Sequence, residues 1–333
     1  MRRVFLLSSV LAVTGIIVVL FVFSDKKKKI SDSDYYGAFS RNYKIFTPPL
    51  PETIDFAGEP VPLDNVLLRE NLDRELLINT YWHSSTIMAL KRANRWFPVI
   101  EPILKENNIP DDFKFLALAE SSLTQAISPK GAVGFWQFIE STGKIHGLEI
   151  NKDVDERYNV EKSTKAACLY FLDSFDKYKN WTLVAASFNA GNRRVADQAE
   201  KQKVSDYYDL FLSEETSRYI FRILALKAIY ERPVAYGFYL RLADLYPPIP
   251  TEEIVVNHPV TDLVKFAADH KASYKMLKEF NPWLRSEILP NAMGKAYVIK
   301  LPVDRSLQYK ELMKNIDDFG VIFNDTIQAN EIN

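Results

Sequence analysis

A single cysteine, Cys168, is the only thiol in this 333-residue chain, so an intramolecular disulfide framework is excluded. It lies in Ala166-Ala167-Cys168-Leu169-Tyr170, an apolar helical run, and reads as a buried structural thiol rather than a nucleophile. Histidine is scarce as well. His83, His146, His258 and His270 are scattered and never stand at the helical spacing that chelates a metal. No metal, no cofactor and no redox chemistry are therefore expected. Neither sign of charge is in excess: the formal net charge is -1, which argues against electrostatic capture of nucleic acid as the main task. What the chain does have is apolar substance, with 47% hydrophobic and 13% aromatic residues. Such a composition excludes general disorder, and the length suits one large domain with a small second one.

The longest uncharged run is at the N-terminus. Arg2-Arg3 precede an apolar stretch from Val4 to Ser24, which Asp25-Lys26-Lys27-Lys28-Lys29 ends abruptly. About 20 apolar residues are enough to span a bilayer as a helix and exceed most signal-peptide cores. Residues 1–24 are expected to be an uncleaved membrane anchor. A cleaved signal stays open, because Val22 and Ser24 suit the small-residue cleavage pattern. No cysteine lies nearby, so lipid attachment there is excluded, and basic residues at both ends leave orientation undecided by charge. Residues 25–62 read as a tether. From Ile30 to Pro51 they are polar and close with Thr47-Pro48-Pro49-Leu50-Pro51, a stiff, extended tether; fully extended, the whole Ile30–Pro51 stretch reaches about 70 Å.

Residues 63–245 carry a helical pattern with weak strand signals and read as all-α. Leu67-Leu68, Leu72, Leu76-Leu77 and Tyr81 recur so as to give one apolar face. A further helix runs to Asn107-Asn108, after which Asp111 or Asp112 is expected to cap a new one carrying Phe113, Phe115-Leu116 and Leu118. Trp181–Ala190 and Thr216–Tyr230 read as helices too. Tyr246-Pro247-Pro248-Ile249-Pro250 breaks the pattern and marks a linker over 246–253. Beyond it, Ile254-Val255-Val256 and Tyr297-Val298-Ile299-Lys300-Leu301 look like strands, with helical segments at Thr261–Ala268 and Ser273–Phe280 between them. This β-α-α-β module over 254–303 is too small to hold an enzyme cleft of its own, and 304–333 form a tail.

One stretch carries chemistry: Leu116-Ala117-Leu118-Ala119-Glu120-Ser121-Ser122, followed by Ser128-Pro129-Lys130-Gly131-Ala132-Val133-Gly134-Phe135-Trp136-Gln137-Phe138. Glu120 stands near the end of a short apolar helix. Helix-end carbonyls and apolar neighbours both disfavour a carboxylate, so the side chain keeps its proton nearer neutral pH, as a general acid must. A single glutamate is ordinarily a solvated or capping residue. Here two glycines, Gly131 and Gly134, suit a tight backbone path and are followed by an aromatic and an amide, a pairing that grips sugars by stacking and hydrogen bonding.

These residues resemble the soluble lytic transglycosylase family, most of all its membrane-bound type D branch. The family's Glu-Ser motif is matched by Glu120-Ser121, and its Gly-x-Trp-Gln motif by Gly134-Phe135-Trp136-Gln137. Ala-Tyr-Asn-Ala-Gly appears as Ser187-Phe188-Asn189-Ala190-Gly191, and Glu-Thr-x-x-Tyr as Glu215-Thr216-Ser217-Arg218-Tyr219. Asp155-Glu156-Arg157, Ser163-Thr164 and Ala166-Ala167 match the stretch between the second and third motifs, so the likeness covers roughly Pro110 to Tyr230 in order and spacing. It implies a mainly α, goose-type lysozyme-like catalytic domain whose cleft binds peptidoglycan glycan strands of alternating N-acetylglucosamine and N-acetylmuramic acid. Glu120 would be the catalytic residue, acid and then base, cleaving without water to leave a 1,6-anhydromuramoyl end. Ser121 and Tyr219 would orient Glu120 by hydrogen bonding. Gln137 and Asn189 would contact sugar groups, and Gly134 and Ala190 would keep the backbone close to substrate. Trp136 is either a sugar platform or a core residue. Phe188 stands where the family usually has Tyr, so any hydrogen bond from that hydroxyl is missing.

The C-terminal module resembles LysM domains, which bind N-acetylglucosamine polymers, through Asn281-Pro282-Trp283-Leu284 and the closing Tyr297–Pro302. The competing reading is a structural appendage that no longer binds sugar. For the whole chain two alternatives stand beside the transglycosylase. One is a lysozyme-type hydrolase with a water-activating carboxylate among Asp155, Glu156 and Glu140. The other is a non-catalytic wall-binding protein. The implied location is the cell envelope, with the helical domain in the periplasm on a membrane anchor, or free there if the N-terminal segment is cleaved.

Overall fold

The computed structural model describes residues 31–42 and 46–314. The apolar stretch Val4–Ser24, and with it the anchor expectation, lies outside the described residues, as does most of the C-terminal tail. Among the described residues no helix is long and apolar enough to cross a membrane. Within the tether, α1 (Asp32–Asn42) is helical rather than extended. Eleven residues rising 1.5 Å each instead of about 3.3 Å shorten the reach by about 20 Å.

The tether also ends earlier than its composition implies. Leu50 and Ile54 pack against the core, and Phe56, Val61 and Leu63 are buried in it. Between them lies a two-residue hairpin, β1 (Asp55–Phe56) against β2 (Glu59–Pro60). The helical body follows as α2 (Val66–Tyr81), α3 (His83–Glu106), α4 (Lys114–Ser121), α5 (Glu140–Ile145), α6 (Val160–Tyr178), α7 (Trp181–Ala190), α8 (Asn192–Gln202) and α9 (Glu214–Glu231). On α2 the buried stripe is Leu68, Leu72 and Leu76, whereas Leu67 and Leu77 face solvent. A helix of period 3.6 can bury only one of two adjacent leucines on such a stripe.

Helix α9 is the axis of the domain. From Tyr219 to Tyr230 it is buried on nearly every face, and α2, α4 and α7 pack around it. Its buried Lys227 is neutralised by Asp112 at 2.7 Å and Asp55 at 3.4 Å, and it also donates to the Asp55 carbonyl. Asp112 additionally accepts from the Ala57 backbone. The sequence-based capping role for Asp111 or Asp112 is therefore corrected. Asp111–Phe113 form a 3₁₀ turn without a side-chain cap, Asp112 ties the hairpin to α9, and Asp111 pairs with Lys114.

The hairpin also holds α7. Both Glu59 carboxylate oxygens accept the first backbone N–H groups of that helix, from Trp181 at 2.6 Å and Thr182 at 2.8 Å, while Asn180 caps Leu183. A carboxylate among unsatisfied N-terminal donors is favoured by charge and by hydrogen bonding. This fixes the axis of the helix whose far end carries Phe188, Asn189 and Ala190.

The segment from Tyr246 onward lies along α3. Asn94 donates to the Tyr246 carbonyl and Arg95 to that of Pro247. Then β3 (Thr251–Val256) and β4 (Tyr297–Pro302) pair antiparallel, Thr251 opposite Pro302 and Val256 opposite Tyr297. Between them run α10 (Leu263–Asp269) and α11 (Tyr274–Phe280). The buried Asn281 side chain bonds the Leu277 carbonyl and both polar backbone groups of Lys300, locking the end of α11 to β4. One last short helix, α12 (Tyr309–Lys314), closes the described chain.

Candidate active site

Five consecutive residues of α4, Lys114 to Leu118, are buried, and Glu120 follows on the last turn with part of its surface left accessible. Immediately beyond, Ser122 (φ 51°) and Leu123 (φ 54°) both take left-handed backbone. The first is the helix cap, its N–H bonding Leu118, and Arg92 donates to its carbonyl. Two such residues in succession turn the chain sharply, and Glu120 sits just before the corner.

The Tyr219 hydroxyl donates to Glu120 Oε1 at 2.6 Å. No described residue bonds the other carboxyl oxygen, which is free for a ligand. Packed protein strips water from the group, and this desolvation pushes its pKa from 4.5 up to about 7. The Tyr219 bond and the charge of Arg222 pull in the opposite direction, and the nearby Glu215 pushes with the burial. Desolvation dominates; the helix-end carbonyls invoked from sequence are not needed. The partly accessible position and the raised pKa are compatible, because hydrophobic surroundings penalise the ionised form even where part of the residue meets solvent. Tyr219 itself is buried, and the neighbouring carboxylate adds to burial in keeping its phenol protonated.

Ser121 does not touch Glu120. Its buried hydroxyl donates to the Phe135 carbonyl at 2.9 Å and sits 3.1 Å from the Ala117 carbonyl, so it ties the end of α4 to the segment carrying the second motif. The orienting role inferred for Ser121 is corrected accordingly: successive residues of a helix stand about 100° apart, and only Glu120 bonds Tyr219.

The Gly131–Phe138 segment is a tight ribbon rather than a helix. Val133 bridges both Ile127 and Phe138, and Gly134 N–H bonds the Ala126 carbonyl. Gly134 has φ +80°, and a Cβ there would stand 2.2 Å from the Arg157 carbonyl oxygen. Its smallness is therefore required by the Arg157 backbone, not by the approach of a sugar. Gln137, also left-handed at φ 48°, spends its amide N–H groups on the Ala126 and Gly134 carbonyls, leaving its side-chain oxygen as the group able to meet a ligand. Trp136 is fully buried and donates to Thr164 at 2.9 Å. It is a core residue, not a sugar platform.

On α7, Phe188 is half-buried at the edge of an aromatic group formed by Trp136, Phe138, Tyr170 and Phe171. The ring packs without a hydroxyl. Asn189 is half-buried, and its side chain has no hydrogen-bond partner among the described residues. Ala190 ends the helix and packs against the core, and Gly191 (φ +89°) follows it.

Sequence reasoning missed the cationic cluster beside Glu120. Glu75 is buried on α2 and pairs with Arg218 at 2.7 Å and Arg222 at 3.8 Å, which fixes the two arginines flanking Tyr219. A signal existed: Leu68, Leu72, Glu75 and Leu76 fall at i, i+4, i+7 and i+8, so the carboxylate stands on the apolar stripe. The candidate water-activating carboxylates are otherwise engaged. Asp155 is paired with Arg157 at 2.7 Å, Glu156 with Lys162 and Lys295, and Glu140 with Lys144 on the surface. Among the described residues, no group of three or more His, Cys, Asp or Glu is placed to hold a metal ion.

Residues 97–211 match the model of the transglycosylase SLT domain, and residues 252–305 match that of the soluble lytic transglycosylase C-terminal LysM-like domain. Tyr219 lies just beyond the first match. Two curated relatives, the membrane-bound lytic murein transglycosylases D of Escherichia coli strains K12 and CFT073, are each 30% identical over 266 residues, 77% of this chain. The aligned part is 57% of each relative's length, so the chain spans little more than half of them. The chain thus carries a transglycosylase SLT domain and, behind it, a domain that matches the LysM-like domain found at the C-terminus of soluble lytic transglycosylases.

Proposed function

We propose that this protein is a peptidoglycan lytic transglycosylase in which Glu120 serves first as acid and then as base. The observation that carries the reading is a carboxyl with a pKa of about 7, one oxygen held by Tyr219 and the other without a hydrogen-bond partner among the described residues. Protonated, Glu120 gives its proton to the glycosidic oxygen as the bond from the muramic anomeric carbon breaks. The neighbouring N-acetyl carbonyl stabilises the positive charge on that carbon, in the manner of substrate-assisted glycosidases. The sugar's own 6-hydroxyl then attacks the anomeric carbon and returns its proton to Glu120. A 1,6-anhydro ring and a free 4-hydroxyl result, no water is consumed, and the enzyme ends in its starting state.

Asn189 and the Gln137 side-chain oxygen are the sugar-contacting groups in this reading. Hydrolysis would need a second carboxylate to hold a water, and Asp155, Glu156 and Glu140 are each bound to a cation. The same reading puts the domain in the periplasm, tethered through residues 1–24, or free there if that segment is removed. Mass spectrometry of purified peptidoglycan digested by wild type and Glu120→Gln is the test. Anhydromuramoyl ends from the wild type alone support the mechanism; products that have gained water overturn it.

A further inference from the structure

The C-terminal module is built into the helical domain rather than hung from it. Its own core of Val256, Leu263, Leu277, Trp283, Leu284 and Ile299 is continuous with three residues from the helical domain, Val133, Val154 and Tyr158. Backbone joins the two as well: Asp155 N–H bonds the Trp283 carbonyl at 2.9 Å, and Arg285 N–H bonds that of Asp153 at 2.8 Å, with Val154 opposite Leu284. Around this pairing Lys295 meets Glu149 and Glu156, Lys300 meets Glu161, and the Tyr297 hydroxyl donates to Glu149.

What that seam touches on the other side matters most. Asp155, fixed by Trp283, grips Arg157 in a two-pronged pair, Oδ1 to Nε at 2.9 Å and Oδ2 to Nη2 at 2.7 Å. The free Arg157 nitrogen, Nη1, donates to the carbonyls of Gly131 at 3.1 Å and Phe138 at 3.2 Å, the two ends of the ribbon that carries Gln137. The Arg157 carbonyl lies under Gly134 in the middle of the same ribbon. Val133 of the ribbon is itself part of the module's core.

We propose that the LysM-like module is a structural wall of the substrate site, and that Arg157 is the positioning residue through which its docking sets the Gly131–Phe138 ribbon. The consequence for substrate rests on the transglycosylase reading; the mechanical coupling does not. A planar guanidinium bound bidentately by a carboxylate still has donors on its outer edge. Arg157 therefore closes both ends of the ribbon only while Asp155 is held in place. Loosening the seam frees the ribbon and so weakens substrate binding through Gln137, while Glu120 and Tyr219, on α4 and α9, stay set.

Four full-length proteins test this: wild type, the seam variant Lys295→Glu/Lys300→Glu, Arg157→Lys, and Lys265→Glu, whose ion pair with Asp269 lies on the module away from the seam. Arg157→Lys keeps the charge facing Asp155 but loses the fork. Hydrogen exchange should speed up about tenfold at the amides of Val133 and Gly134 in the seam variant and in Arg157→Lys. The α9 amides and the Lys265→Glu protein should behave as wild type. Strand amides of Ile254 and Ile299 report whether the seam variant's module is still folded; if it is not, Arg157→Lys decides alone. With peptidoglycan, KM should rise about tenfold while kcat stays within about threefold. Wild-type exchange in the ribbon of both variants, or a fall in kcat with KM unmoved, overturns the coupling. A wild type that exchanges as expected but releases no anhydro product overturns the functional reading and leaves the coupling standing.

Discussion

Replacing Glu120 by Gln should stabilise the fold, and by an amount that grows with pH. In the unfolded chain the carboxyl ionises near 4.5, and in the native site it does so at about 7. At about 1.4 kcal/mol per tenfold change in proton affinity, keeping it ionised in the folded protein costs about 3 kcal/mol. Because the native pKa is raised, the sign is fixed. Below about pH 4.5 both states hold the proton and nothing is lost. Between about pH 4.5 and 7 the unfolded chain releases it first, and stability falls. Above about pH 7 the whole cost is present. Glutamine carries no charge at any of these values, so the stability of Glu120→Gln minus that of wild type should climb by about 3 kcal/mol from about pH 4 to about pH 8. The steepest part should approach about 1.4 kcal/mol per pH unit. Urea denaturation of the detergent-solubilised full chains, followed by tryptophan fluorescence at unit pH intervals, measures this difference. Other titrating groups are common to both proteins and cancel. A flat difference, or one that falls as pH rises, would refute the argument that burial holds the proton on Glu120.

Three further outcomes follow from the same geometry. Tyr219→Phe removes the bond that favours ionised Glu120; the basic limb of the kcat/KM profile should move to higher pH, and a lost charge-assisted hydrogen bond of about 1.5–3 kcal/mol should cut the rate about 10- to 100-fold. Gly134→Ala places a Cβ on the Arg157 carbonyl at positive φ, so chemical denaturation should show a loss of about 3 kcal/mol or more. Cys168, buried with its thiol pushed up to about 12, should resist iodoacetamide in the native protein at neutral pH and react once urea unfolds it, which intact-mass measurement reads directly.

How much of this was legible beforehand differs from residue to residue. Trp181–Ala190 was readable to the residue, because an Asn cap before it and a glycine after it frame an apolar run. The β-α-α-β order of the C-terminal module was equally plain from its strand-forming ends. Glu120 was marked by an apolar helix around a carboxyl, a local pattern whose electrostatic effect does not depend on knowing the partners. Asp111 and Asp112 misled, because a capping residue and a carboxylate reaching a distant lysine look alike in sequence; only the place of Lys227 tells them apart.

By itself, then, the sequence determined the helical class, the apolar setting of the Glu120 carboxyl and the module's order of elements, since periodicity, caps and local polarity act within a few residues of chain. Tertiary structure alone decided what each neighbour of Glu120 does. It turned Tyr219, 99 residues away, onto the carboxyl and Ser121 away from it. It buried Trp136 and spent the smallness of Gly134 on a backbone carbonyl of Arg157. It also joined the C-terminal module to the ribbon that carries Gln137. Such contacts unite positions far apart along the chain, and their geometry comes from helix packing around α9, which no local pattern encodes.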